Sequence, residues 1–334
     1  MEKDNFLTKE QSVYLKGWAI LFMMFLHFGG NAVAPAYRYS WSDSEWHGGF
    51  QICVPIFLFL SGYGLMVSTA AREENLQDAV LRQIRRVFKL FRHYWFVTFP
   101  FIGLALLTGK FVWSWENFVL TATSLRCVYC PNAWFVSLYV ELILLFPFLS
   151  RLVQAKSLGH NLSVFLVILV LTKLLGKIEW IDAEASILAR QIKMVLIDMP
   201  IFIEGMLFAK YVPWGKVLLR LPYSTYLKLC GGAILVALSI MCRAKVPLVS
   251  ITELVHVPIC LLGLLLICSE SSKCFKIYHF IGRHSTTLWF IHGYVCWTFF
   301  QPFIYSIRFW PLAFVLFASI SLLLSLGLDR MLKY

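Results

Sequence analysis

The side chains of this chain that could do chemistry are ionisable groups set in strongly apolar surroundings. His27 ends the run Ile20-Leu21-Phe22-Met23-Met24-Phe25-Leu26, Glu141 sits in Val140-Glu141-Leu142-Ile143, and His292 follows Trp289-Phe290-Ile291. Lys173, Asp198, Glu204, Glu253 and His256 stand in similar settings. A charge in lipid is expensive, so each such group marks either a site or a pairing between helices. Spacing sharpens that choice. Lys16 and His27 are eleven residues apart, close to three helical turns, and so share one face at a separation of roughly 16 Å. An ammonium at the mouth would hold an anionic group while an imidazole deeper in does proton chemistry. Ser137 and Glu141 are an i, i+4 pair, and Ser285 and His292 are two turns apart. Glu253 and His256 have the spacing of a hydrogen-bonded pair.

The elements that carry these groups must be transmembrane helices. Of 334 residues, 59% are hydrophobic and only 14% charged, against about a quarter charged in a soluble domain. One globule could not bury that apolar excess, so lipid is the solvent. A spanning helix needs about 20 mostly apolar residues. The chain offers about ten such stretches, near 14–34, 49–70, 93–110, 134–150, 161–177, 194–211, 226–242, 246–268, 279–299 and 310–328. This predicts an all-α polytopic bundle formed by a single membrane domain over 1–334, without a soluble domain.

The net charge of +12 finds its explanation in topology. With the N-terminus inside, twenty Lys and Arg fall in cytoplasmic loops and tails, nine lie outside, and Lys173 is within a span, completing the thirty. Both termini are therefore expected in the cytoplasm, and no nucleic-acid partner is required. The inside set includes Lys3, Arg72, Lys156, Lys216, Arg220 and Lys333; the outer side holds Lys177 and the acidic Glu179, Asp182 and Glu184. The densest basic run, Arg82 to Arg92 with Arg85, Arg86 and Lys89, stands before the third span. It reads as ordinary anchoring to the inner face or as a clamp for phosphates. Among nine cysteines, Cys127-x-x-Cys130 is the one close pair, either two loop thiols or a disulfide. The eight histidines show no ligand spacing, so no metal is expected.

Five stretches, in order, resemble the acyltransferase-3 family of membrane-bound O-acyltransferases. They are Lys16-x10-His27 after Tyr14-Leu15; Pro55-Ile56-Phe57-Leu58-Phe59-Leu60-Ser61-Gly62-Tyr63; the basic run closing in Tyr94-Trp95; Trp134-Phe135-x-Ser137-Leu138-x-x-Glu141; and Gly282-x-x-Ser285 with His292. Arg82-x-x-Arg85 and Arg86-x-x-Lys89 both fit the basic motif, and Arg92 stands where the family usually has Pro. The resemblance covers nearly the whole chain, in the form without an extra esterase-like domain.

It implies an acyl-CoA donor, usually acetyl-CoA, on the cytoplasmic side of a bacterial inner membrane. The acceptor would be a hydroxyl of a cell-surface polysaccharide or lipid-linked sugar. Lys16, Arg82, Arg85, Arg86 and Lys89 would engage the donor's phosphates, and His27 would act as general base or covalent carrier of the acyl group. Glu141 would orient His27 or the acceptor, with Ser61, Ser137, Ser285 and His292 in support. A transporter or flippase for a glycolipid or small anion shares the hydropathy and the intramembrane charges. Inverted repeats would favour it, and the two halves show none.

Overall fold

The computed structural model describes residues 7–30, 32–69, 75–154, 157–175, 186–211, 224–245, 249–268 and 270–332. Lys3, Arg72, Lys156, Lys177, Glu179, Asp182, Glu184, Lys216, Arg220 and Lys333 lie outside them. Every regular element within them is helical: α1 Lys9–Phe28, α2 Cys53–Thr69, α3 Leu76–Leu107, α4 Trp134–Gln154, α5 Leu158–Leu175, α6 Ile187–Tyr211, α7 Thr225–Lys245, α8 Val249–Ile267, α9 Lys273–Arg283, α10 Ser285–Gly293 and α11 Trp310–Met331, with shorter turns between.

Each predicted span coincides with a helix, but only six helical segments among the described residues are long and apolar enough to cross a membrane. These are Glu45–Thr69, Leu76–Leu107, Trp134–Val153, Leu158–Leu175, Thr225–Lys245 and Trp310–Met331. α1 and α6 carry several charges, and the apolar part of α8 runs only Ile251–Ile267. Two boundaries differ from expectation. The basic run is no loop: it forms the first turns of α3, which starts at Leu76 behind an Asn75 cap and continues for 32 residues. The ninth span is broken at His284, whose φ of −102° and ψ of 5° end α9 and start α10, and a π-helical turn, Tyr294–Phe299, follows.

Close backbone packing holds the helices in register. A Cβ on Gly17 of α1 would stand 1.9 Å from the Tyr278 carbonyl oxygen of α9, and one on Gly282 would stand 1.9 Å from that of Val13. Gly62 of α2 and Gly205 of α6 oppose each other in the same way, at 2.0 and 2.1 Å from Phe202 O and Phe59 O. Small residues are how membrane helices approach when apolar burial offers no preference over lipid. Around the first contact, Tyr14 stacks on Phe275 and Trp18 on Tyr278, with ring centroids 4.5 and 3.8 Å apart. Tyr14, Gly17 and Trp18 thus commit one face of α1 to α9, leaving Lys16 and His27 on the opposite face.

Other motif residues also serve as fasteners. The Tyr63 hydroxyl accepts from Leu7 N at 2.8 Å and donates to Leu7 O at 3.1 Å, tying the N-terminal segment to α2. Tyr94 Oη and Trp95 Nε1 donate at 2.8 Å to the carbonyls of Thr121 and Ala122, securing the short helix Trp115–Ala122 against α3. Cys127 and Cys130 are free thiols, as the simpler of the two readings has it, while Cys268 and Cys274 form an unexpected disulfide across the α8–α9 junction.

Candidate active site

His27, on the last turn of α1, lines a cavity of about 390 Å³. Trp134 and Phe135 of α4, Trp289 of α10 and Asn132 line it with His27, and Gln51, Asp198, Arg243 and Glu253 add polar groups. Arg243 Nε lies 3.1 Å from Glu253 Oε1, and another of its nitrogens donates to Gln51 Oε1 at 3.1 Å. Glu253 therefore pairs with Arg243 and not with His256, whose Nδ1 is buried without a partner. The α7–α8 packing aims the Arg243 side chain along α8, which the three-residue spacing of Glu253 and His256 did not reveal.

The orientation of His27 follows from a short hydrogen-bond chain. His292 Nδ1 lies 3.0 Å from the Leu288 carbonyl, one turn back in α10. A carbonyl only accepts, so Nδ1 carries the hydrogen and Nε2 of the neutral ring is left with its lone pair. That Nε2 is 2.6 Å from His27 Nδ1, which must be the donor. The rings are parallel within 8° with centroids 4.9 Å apart, and Trp297 packs edge-on against His27 at 5.1 Å while its Nε1 donates to the His27 carbonyl. His27 Nε2 is left as a free lone pair in a residue that lines the cavity. This is the arrangement of a general base, fixed in tautomer and direction by a second ring.

A second cavity of about 410 Å³ lies on the Lys16 side. Lys16, Arg86 and Lys89 line it with Ser61, Ser68, His93 and Tyr139. Arg86 is held by Gln83 Oε1 at 3.2 Å and Ser68 Oγ at 3.4 Å. The two cavities are one helical turn apart on two helices: Phe135 faces the first and Tyr139 the second on α4, and Trp289 and Thr286 do likewise on α10. Cations and base therefore sit in neighbouring cavities.

The residues expected at the site divide accordingly. His27 and His292 meet; Lys16, Ser61, Arg86 and Lys89 meet. Arg82 is half-buried and Arg85 exposed, and neither lines the second cavity. Ser137 and Glu141 occupy the side of α4 away from Phe135, Tyr139 and Ile143 and line neither cavity. The Ser137 hydroxyl donates to Trp134 O at 2.9 Å, and Glu141 Oε2 is buried without a partner. Ser285 is buried at the start of α10, outside both cavities. Asn132, Trp289, Trp297 and Arg243 belong to the His27 site but carry no signal in sequence, since aromatic residues and a single amide beside a span are common at interfaces.

Six apolar helices and a hydrogen-bonded histidine pair beside an internal cavity define a multi-pass membrane protein with an internal site. The family model described as an acyltransferase domain matches residues 13–330, nearly the whole chain, and the chain belongs to this acyltransferase-3 family. It is a membrane O-acyltransferase. No curated protein and no solved structure matches the chain.

Proposed function

We propose that the protein moves an acetyl group from cytoplasmic acetyl-CoA to a hydroxyl of a cell-surface polysaccharide or lipid-linked sugar, in the inner membrane of a bacterium. The observation that carries this reading is the free Nε2 of His27, whose side chain lines one cavity while Lys16, Arg86 and Lys89 line another a helical turn away. The excess of Lys and Arg on one side supports a cytoplasmic second cavity and cytoplasmic termini in this reading. CoA phosphates suit the cations there, since charge-assisted hydrogen bonds to phosphate are the strong ones. The roughly 16 Å between Lys16 and His27 along α1 is a span for the donor's flexible arm to cross.

In the His27 cavity, Gln51, Asn132 and Asp198 offer hydrogen bonds to hydroxyls, and Trp134 and Trp289 offer flat faces to a sugar ring. His27 Nε2 takes the proton of the acceptor hydroxyl as its oxygen attacks the thioester carbonyl. The tetrahedral species collapses, the C–S bond breaks, and the sulfur leaves with the proton from the imidazolium. The His292 Nε2 acceptor keeps the charged ring in place throughout. The same lone pair also suits an acyl-imidazole intermediate. Glu141, with an unpartnered oxygen, acts through helix packing in this reading and not on the reacting groups.

The test compares wild type with His27→Ala in cells whose native gene is deleted, with membrane levels matched. NMR of the surface glycan should show base-labile O-acetyl signals restored by wild type and absent with the variant. Unchanged acylation with well-expressed wild type would reject the acceptor class.

A further inference from the structure

A third cavity, of about 280 Å³, adjoins the cation-lined one and shares Lys89, His93 and Thr286 with it. Its walls are the middle of α3, the α9–α10 junction and the end of α11, and they bring Lys89, Arg92 and Arg283 together. None of these three cations forms an ion pair among the described residues, and all three side chains are exposed at the mouth. One carboxylate, Asp329, is present, and both of its oxygens are engaged. Oδ2 accepts from His284 Nδ1 and Oδ1 from the Thr287 hydroxyl. The Thr287 oxygen in turn accepts from His93 Nε2 at 2.9 Å. Asp329 thus braces the broken junction instead of neutralising the cations. The site keeps a net positive charge, and filling it with an anion would relieve the mutual repulsion.

We propose that this cavity is a distinct phosphate subsite that reads the 3′-phosphate of the donor's adenosine, with Arg92 and Arg283 as its specificity-determining residues. The inference rests on the acyl-CoA reading above. The cavity next to that of His27 takes the pyrophosphate, bound by Lys16 and Arg86. Lys89, shared by both cavities, stands between the two phosphate groups. Because the ribose carries both groups, adjoining subsites are what this ligand requires. Arg92, which departs from the family's usual Pro, gains a function here. The break at His284 does too, because it ends α9 at Arg283, which lines the cavity.

The experiment measures Kd for CoA and for 3′-dephospho-CoA on the full-length protein in neutral detergent, which needs no acceptor. Wild type should bind CoA about tenfold or more tightly than the dephospho form, the scale of a charge-assisted contact. Arg92→Gln and Arg283→Gln should each shrink that ratio toward one and leave dephospho-CoA binding within about twofold. Arg86→Gln should weaken both ligands alike. Equal binding of both by wild type, or equal losses of both in the Arg92 and Arg283 variants, would overturn the subsite and leave these cations to lipid headgroups or general attraction, with the donor assignment standing. Binding of neither ligand by wild type would overturn the donor assignment and the subsite together.

Discussion

In the proposed reaction two imidazole rings carry the chemistry, and their roles differ. His27→Ala should cut the acyl-transfer rate by about 10²–10⁴, the usual contribution of a general base. His292 acts on the acceptor only through His27. His292→Phe keeps a flat ring but removes the acceptor of the His27 Nδ1 hydrogen, so kcat should fall by roughly 10–100-fold with KM for donor and acceptor within about twofold. His292→Gln, which keeps an acceptor oxygen, should recover part of that loss; a purely packing role would instead favour Phe over Gln. A second prediction concerns the free thiols before α4. Burial pushes the Cys130 thiol up to about 12 and raises that of Cys127 as well. Since the thiolate is the reactive form and a raised pKa makes it scarce at neutral pH, both should resist maleimide at pH 7.5 and react faster as pH rises. Peptide mass spectrometry before and after denaturation reads this out, and rapid labelling of the folded protein at pH 7.5 would contradict it.

At the level of elements, the motifs divide into those that do chemistry and those that let helices touch. Gly17, Gly62, Gly205 and Gly282 belong to the second kind. Gly282→Leu would drive side-chain atoms into the Val13 backbone, where no rotamer can relieve the clash. We expect a cost of at least the 1–3 kcal/mol of an overpacked core, read as a lower Tm in detergent and a loss of monodisperse protein. Gly231→Ala meets nothing within 4 Å and should be neutral or slightly stabilising. The same reasoning covers Tyr63→Phe, which leaves the Leu7 N–H and C=O unpartnered in a buried setting at a cost of about 1–3 kcal/mol. That loss should appear as earlier proteolysis of the N-terminal segment.

Across the whole molecule, the proposed reaction brings donor and acceptor to His27 from opposite faces of the membrane. Single cysteines tested with an impermeant thiol reagent in intact cells should label at Arg308→Cys and stay protected at Arg283→Cys until the membrane is opened. The reverse pattern would invert the topology and place the cation-lined cavities on the wrong side for a cytoplasmic donor. The two cavities are a single turn apart on α4 and α10, and the packed rings of Phe135, Tyr139 and Trp289 line one or the other of them.

Much of this was legible in the residues alone. The apolar stretches place the helices, because only a helix satisfies its own backbone in lipid. The eleven-residue spacing of Lys16 and His27 fixes their shared face, because helical periodicity is local. The family motifs, read in order, identify an acyltransferase. What the spacing of residues could not decide is which helices meet. His27 and His292 are 265 positions apart, and their pairing depends on α1 and α10 lying side by side. Glu141, expected to orient His27 or the acceptor, stands on the face of α4 turned away from both cavities. Arg92 and Arg283 looked like ordinary inside charges until the break at His284 brought them to one pocket. Periodicity assigns each side chain to a face of its own helix; only packing between helices, set here by glycine contacts and aromatic stacks, decides what that face meets.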